Sequence, residues 1–349
     1  MTAHQVLTPR DTVAQATDAN RPLLSVRNLE VEYWTSRGVV RACGDGVSFD
    51  IFPNEVFGLA GESGCGKSTI AHAITRVLKP PAYIVGGEVI FKDRDILGMN
   101  DDELRAFRWE HLAIVFQSAM NSLNPVLSVG EQIADVIQTH RQVKKKEARE
   151  RARELLQTVG IDPNRVDSYP HQLSGGMRQR VVIAIALALN PELIIMDEPT
   201  TALDVVVQKQ IIREIQTLKD QFGFSILFIT HDLSLLVEFS DRIAIMYAGE
   251  LIEIAPSREI FERPGHPYTR RLMNSFPTIS GPRVELTGIA GSPPDLISPP
   301  SGCRFHPRCE VAIAGLCEQV PPPLYRIGPQ HRAACHLLDK EAADYERQS

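Results

Sequence analysis

The segment Gly61-Glu62-Ser63-Gly64-Cys65-Gly66-Lys67-Ser68 constrains this chain more than any other stretch. It fits the pattern G-x-x-x-x-G-K-[S/T]. The preceding run, Glu55-Val56-Phe57-Gly58-Leu59-Ala60, reads as a strand, and a helical pattern follows from Lys67 to Leu78, where Lys79-Pro80-Pro81 stops it. A strand turning through glycines into a helix start makes a cradle for phosphate, because backbone N–H groups converge there and the helix dipole adds its positive end. Lys67 would reach the outer phosphates of a nucleotide, and Ser68 would offer a magnesium ligand. Gly61, Ser63, Gly64, Cys65, Gly66 and Thr69 complete the expected contact set. Cys65 reads as a small filler of the loop rather than a nucleophile.

The rest of the chain supplies an α/β setting. Leu29, Val31 and Tyr33, then Val47, Phe49 and Ile51, alternate as half-buried strands do. Ala113–Phe116, Leu193–Met196 and Ser225–Ile229 are short, continuously apolar runs, as in parallel sheets covered on both faces. A helical region is expected at about 118–177. Its charge-dense part, Lys144 to Glu154, reads as a solvated helix with pairs such as Glu147/Arg151. Residues 1–22 lack periodicity and read as a disordered leader. After Phe261, the pairs Pro293-Pro294 and Pro299-Pro300 and the triplet Pro321-Pro322-Pro323 mark a loop-rich extension.

At the end of the Leu193–Met196 run stand two adjacent carboxylates, Asp197 and Glu198. Asp197 would hold magnesium, directly or through water. Glu198 points elsewhere and is suited to polarise an attacking water as a general base.

With 37 basic against 43 acidic residues, the net charge of −6 lacks the cationic footprint that nucleic-acid backbones require. No nucleic-acid partner is expected. The longest apolar stretch, Val181 to Leu189, falls well short of the ~20 residues of a membrane-spanning helix. Met1 to Arg21 contains no signal-peptide core, so a cytosolic chain with reduced thiols is expected.

Leu173-Ser174-Gly175-Gly176-Met177-Arg178-Gln179 closely resembles the signature motif of ATP-binding-cassette (ABC) proteins. Gln117, Ala202-Leu203-Asp204 and His231-Asp232 complete the cassette set in family order over about residues 23–262. The resemblance implies a P-loop NTPase fold: a RecA-like core, an antiparallel β subdomain and an inserted helical subdomain. It also implies that two cassettes dimerise head to tail, Ser174, Gly175, Gly176 and Gln179 of each capping the ATP of the other. Asp204 would lie along that interface. By the same resemblance Gln117 ligates magnesium or the attacking water, His231 contacts the γ-phosphate, and Tyr33 stacks on adenine, with Trp34 as the neighbouring alternative. Small side chains at 174–176 suit this independently, since they let backbone N–H groups press against a phosphate.

Arg263-Pro264-Gly265-His266-Pro267-Tyr268-Thr269-Arg270-Arg271-Leu272 resembles the segment after the cassette in ATPase subunits of dipeptide and oligopeptide importers, a feature shared with nickel importers. The resemblance is closest to the D-type subunit. It implies a second, homologous ATPase, two permease chains and an extracytoplasmic peptide-binding protein as partners, at the cytoplasmic face of the membrane. The extension at 263–349 also carries Cys303, Cys309, Cys317 and Cys335. Four thiolates can hold a [4Fe–4S] cluster or a tetrahedral zinc ion. Their wide, uneven spacing suits a cluster better than zinc, and four unligated thiols remain a third reading. His306 and His331 nearby read as stray surface histidines.

Overall fold

A computed structural model describes residues 21–117, 122–201, 203–274 and 288–348. All but the end of the expected leader lies outside these residues, as do the first positions of the expected helical region and Ala202.

The chain begins with strands β1 (Leu24–Thr35), β2 (Gly38–Ile51) and β3 (Val56–Ala60), then helix α1 (Lys67–Ile74). Next come β4 (Ala82–Phe91), β5 (Arg94–Asp95), α2 (Asp101–Phe107), β6 (Leu112–Val115), α3 (Val129–His140) and α4 (Lys145–Thr158). The central part holds α5 (Gly175–Ala186), β7 (Leu193–Asp197), α6 (Val205–Phe222), β8 (Ser225–Ile229) and α7 (Leu233–Phe239). The last part holds β9 (Arg242–Tyr247), β10 (Glu250–Pro256), α8 (Ser257–Glu262), α9 (Pro267–Asn274), β11 (Tyr325–Arg326), β12 (Arg332–Ala333) and α10 (Asp339–Gln348). Two compact units are formed. The first gathers residues 51–55 and 98–227 with the described residues up to 23; the second gathers 24–50, 56–97 and 228 onward.

In the first unit, strands lie in the order β8-β7-β6, and β6 runs parallel to β7 from Leu112↔Leu193 to Val115↔Met196. Every residue of β7 and β8 is buried, including the polar Asp197 and Ser225 at their ends, as strands covered on both faces are. Ser128 caps α3 in a capping box with Glu131, and α4 buries a stripe of Ala148, Ala152, Leu155 and Leu156. The charged face of α4 is solvated, but its pairing differs from the expected Glu147/Arg151. Arg151 reaches Glu154 and Arg153 reaches Glu150, while Glu147 accepts from the Lys144 N–H at the helix start. Capping satisfies a backbone donor that would otherwise have no intrahelical partner, and it draws Glu147 away from Arg151.

In the second unit, β2-β1-β4-β5 form a sheet in which β1 and β4 pair antiparallel. Leu24, Val26, Leu29 and Val31 are its buried residues on β1. Strand β3 lies parallel to β9, β10 is antiparallel to β9, and the β11–β12 hairpin adds to β10. Helix α1 stops at Ile74 rather than Leu78. The Thr75 hydroxyl donates back to the Ala71 carbonyl, and Arg76 turns to a φ of 52°, which ends the helix before the prolines.

The extension is more regular than its prolines suggest, with α9, α10 and the hairpin against β10. His331 is not a surface histidine. It is 3% exposed, its Nδ1 2.8 Å from Glu259 and its Nε2 2.7 Å from Glu253, a carboxylate that also accepts from the Gly265 and His266 N–H groups. A fully buried carboxylate needs such partners, and this one recruited the histidine. Among the described residues, no helix is long and apolar enough to cross a membrane.

Candidate functional site

The loop after β3 takes the form its glycines permit. Gly66 sits at a φ of 108°, and a Cβ there would stand 2.2 Å from the Ala42 carbonyl oxygen. Only glycine fits. Lys67 opens α1 and is 5% exposed, its Nζ donating to the carbonyls of Gly61 at 2.7 Å and Glu62 at 3.0 Å. Ser63 and Gly64 are exposed at the mouth of the loop, and Ser68 is half-buried. Cys65 is buried with its Sγ 3.7 Å from Lys67 Nζ, and burial raises its thiol pKa, which suits a filler and not a nucleophile. The Tyr33 hydroxyl lies 3.0 Å from Thr69 Oγ1, placing this ring beside the loop's helix. Trp34 is 55% exposed and packs at a tilt against Tyr83. His231 follows β8 on the surface of this second unit, just before Asp232 caps α7.

The first unit holds the paired acids. Asp197 ends β7 at 1% exposure, and Glu198 leaves the strand with a φ of 46°, a left-handed conformation that is strained for a glutamate. Gln117 Nε2 donates to Glu198 Oε2 at 3.1 Å, and Thr201 Oγ1 donates to the same oxygen at 3.0 Å. Thr201 was not anticipated from sequence; its signal, a hydroxyl three residues after the acid, carries no motif of its own.

Ser174, Gly175, Gly176 and Met177 of the signature line an open hollow of about 460 Å³ in this unit with Arg180, Leu203, Asp204 and Val207, and Gln179 does not. Ser174 caps α5, its Oγ accepting from Met177 N–H, so the backbone at Gly175 and Gly176 starts a helix. A Cβ on Gly176 would press on Val207 at 3.1 Å. Asp204 caps α6 by accepting from Val206 and Val207 N–H. Gln179 is 1% exposed, its Nε2 without a partner among the described residues.

In the extension, Cys303, Cys309, Cys317 and Cys335 line one pocket with His266, His306 and His336. All four are free thiols, and Cys317 Sγ accepts from the Ile313 N–H. Burial, with a smaller contribution from the neighbouring thiols, raises the Cys303 thiol to about 12. Among the described residues, no three or more His, Cys, Asp or Glu side chains are placed to hold a metal ion.

A phosphate loop between strand and helix, paired acids at a strand end and a signature helix start on an α/β fold define an ABC ATPase. The ABC transporter family model matches residues 45–201, and the oligopeptide/dipeptide transporter C-terminal region matches residues 252–317. The chain is 49% identical to the probable peptide ABC transporter ATP-binding protein y4tR of Sinorhizobium fredii, over 90% of this chain and 94% of that protein. To the dipeptide transport ATP-binding protein DppD of Bacillus subtilis it is 43% identical, over 92% of this chain and 96% of that one. Among solved structures, the dimeric ABC transporter cassette MJ0796 is similar at a TM-score of 0.60 and 31% identity, covering 67% of this chain and 99% of that one. The chain belongs to the ATP-binding, ATP-hydrolysing subunits of ABC transporters, in the group that carries the oligopeptide/dipeptide C-terminal region.

Proposed function

We propose that the chain is the ATP-hydrolysing subunit of an importer for dipeptides and oligopeptides, attached to the cytoplasmic face of the membrane beneath two permease subunits fed by a peptide-binding protein. The observation that carries this reading is the joint presence of a cassette and a peptide-type extension in one chain. In this reading the cassette occupies 23–262, with a helical subdomain at about 118–177, and the extension occupies 263–349. Gly61 to Thr69 cradles the phosphates of ATP, with Tyr33 against the adenine, and Ser68, Gln117 and Asp197 hold magnesium. Glu198 takes the proton of the attacking water, aimed by Gln117 and Thr201 through its Oε2. His231 meets the γ-phosphate. Ser174, Gly175, Gly176, Gln179 and Asp204 serve the ATP of a second, homologous ATPase, and closing of the pair on ATP drives the permeases. Cells carrying Glu198→Gln in place of the parent chain are expected to lose uptake of a labelled dipeptide. Peptide uptake that persists while nickel uptake fails would move the substrate to nickel.

The four thiols of the extension are assigned to an iron–sulfur cluster that cross-links the tail; their convergence on one pocket supports this. The chemistry supplied there is structural. Anaerobic purification should yield about four irons and four sulfides per chain, as a [4Fe–4S] cluster requires. One zinc with no sulfide would replace the cluster by a zinc site, and a metal-free protein would remove both.

A further inference from the structure

Glu62, the first variable residue of the phosphate loop, is held at three points. Its carbonyl accepts from Lys67 Nζ, its N–H donates to the Tyr268 hydroxyl at 3.0 Å, and its carboxylate receives both arms of Arg308. The distances are 2.7 Å from Nη1 to Oε2 and 3.0 Å from Nη2 to Oε1. Two of the three holds therefore come from the extension.

The clamp is built for stiffness. The Arg308 side chain is 6% exposed, and its Nη1 also donates to the Tyr247 hydroxyl. Its remaining donors reach the carbonyls of Ile289, Ala290 and Gly291. Tyr268 is fully buried, packed on Tyr247 and Phe305 with ring centroids 4.7 and 5.4 Å apart. A forked guanidinium on a carboxylate fixes orientation as well as position, which an ammonium cannot do.

We propose that Arg308 and Tyr268 are positioning residues for nucleotide binding: by holding Glu62 they set the Gly61–Gly64 backbone in the shape that receives phosphates. The extension is then part of the nucleotide site and not a passive tail. This rests on reading Gly61–Ser68 as the phosphate cradle. A mere tether would need neither a buried, two-pronged ion pair nor a hydrogen bond to the loop's own backbone.

The test uses the purified full-length chain, with MgADP affinity measured by calorimetry beside the KM and kcat of ATP hydrolysis. Arg308→Ala and Glu62→Gln should each weaken MgADP and raise KM on the order of tenfold, with kcat changed far less. Arg308→Lys should fall between parent and alanine. The Arg308→Ala, Glu62→Gln double variant should bind no worse than the weaker single one, because both remove the same contact. Glu62→Gln is nearly isosteric and leaves the packing of the extension intact, so it decides the matter if Arg308→Ala does not fold. Affinities within twofold of the parent, additive losses in the double variant, or a fall in kcat at constant KM would each overturn the proposal. Lys67→Ala separates the two layers. If Lys67→Ala also binds normally, the cradle reading falls and this proposal with it; if binding needs Lys67 but not Arg308, only the clamp is lost.

Discussion

Glu198→Gln is expected to bind MgATP as tightly as the parent chain while its turnover falls on the order of 10²- to 10³-fold, the range for loss of a positioned general base. The substitution keeps the length and shape of the side chain. Glu198 Oε2 accepts from both Gln117 Nε2 and Thr201 Oγ1, and the glutamine can turn its carbonyl oxygen to the same two donors. The left-handed backbone at position 198 is held by the strand end before it, so the loop need not move. What disappears is the capacity to take a proton. Single-turnover phosphate release beside equilibrium ATP binding separates the two effects. Turnover within threefold of the parent would assign the base to another residue.

Gly66→Ala should act on the opposite step and abolish useful nucleotide binding, with an affinity loss on the order of a hundredfold. Two causes combine. A φ of 108° costs a residue with a Cβ about 1–3 kcal/mol, and the new methyl would stand 2.2 Å from a backbone carbonyl that cannot swing away. Gly64→Ala provides the contrast. Its φ of 81° carries the strain, but a Cβ there meets nothing described within 4 Å, so a loss smaller than that of Gly66→Ala is expected from strain alone. Calorimetric titration with MgADP measures both. Equal losses in the two variants would show that contact with the Ala42 carbonyl is irrelevant.

These two positions also show what the sequence made legible. Glu198 and Gly66 announce themselves through local spacing, because a phosphate cradle and an acid at a strand end are made by neighbours along the chain. The buried strands β7 and β8 are readable for a similar reason, each carrying four successive apolar residues beside a single polar one. Helix α1 is shorter than its apolar pattern predicts because Thr75 competes for the backbone before the prolines can act, a contest that periodicity does not register. His331 was misplaced on the surface because its partners, Glu253 and Glu259, are 78 and 72 positions away. Nothing local marks a histidine that a distant buried carboxylate will recruit. The four cysteines crowd together in the sequence and line one pocket, but among the described residues no three or more His, Cys, Asp or Glu side chains are placed to hold a metal ion.

The separation between Glu62 and Arg308 also sets a schedule for synthesis. The two residues lie 246 positions apart, and at about 5–20 residues per second a ribosome needs roughly 12–50 s to travel from one codon to the other. Throughout that interval the glycine loop exists without its anchor. A transcript cut short before position 308 yields a chain with every cassette motif but without the guanidinium that grips the Glu62 carboxylate.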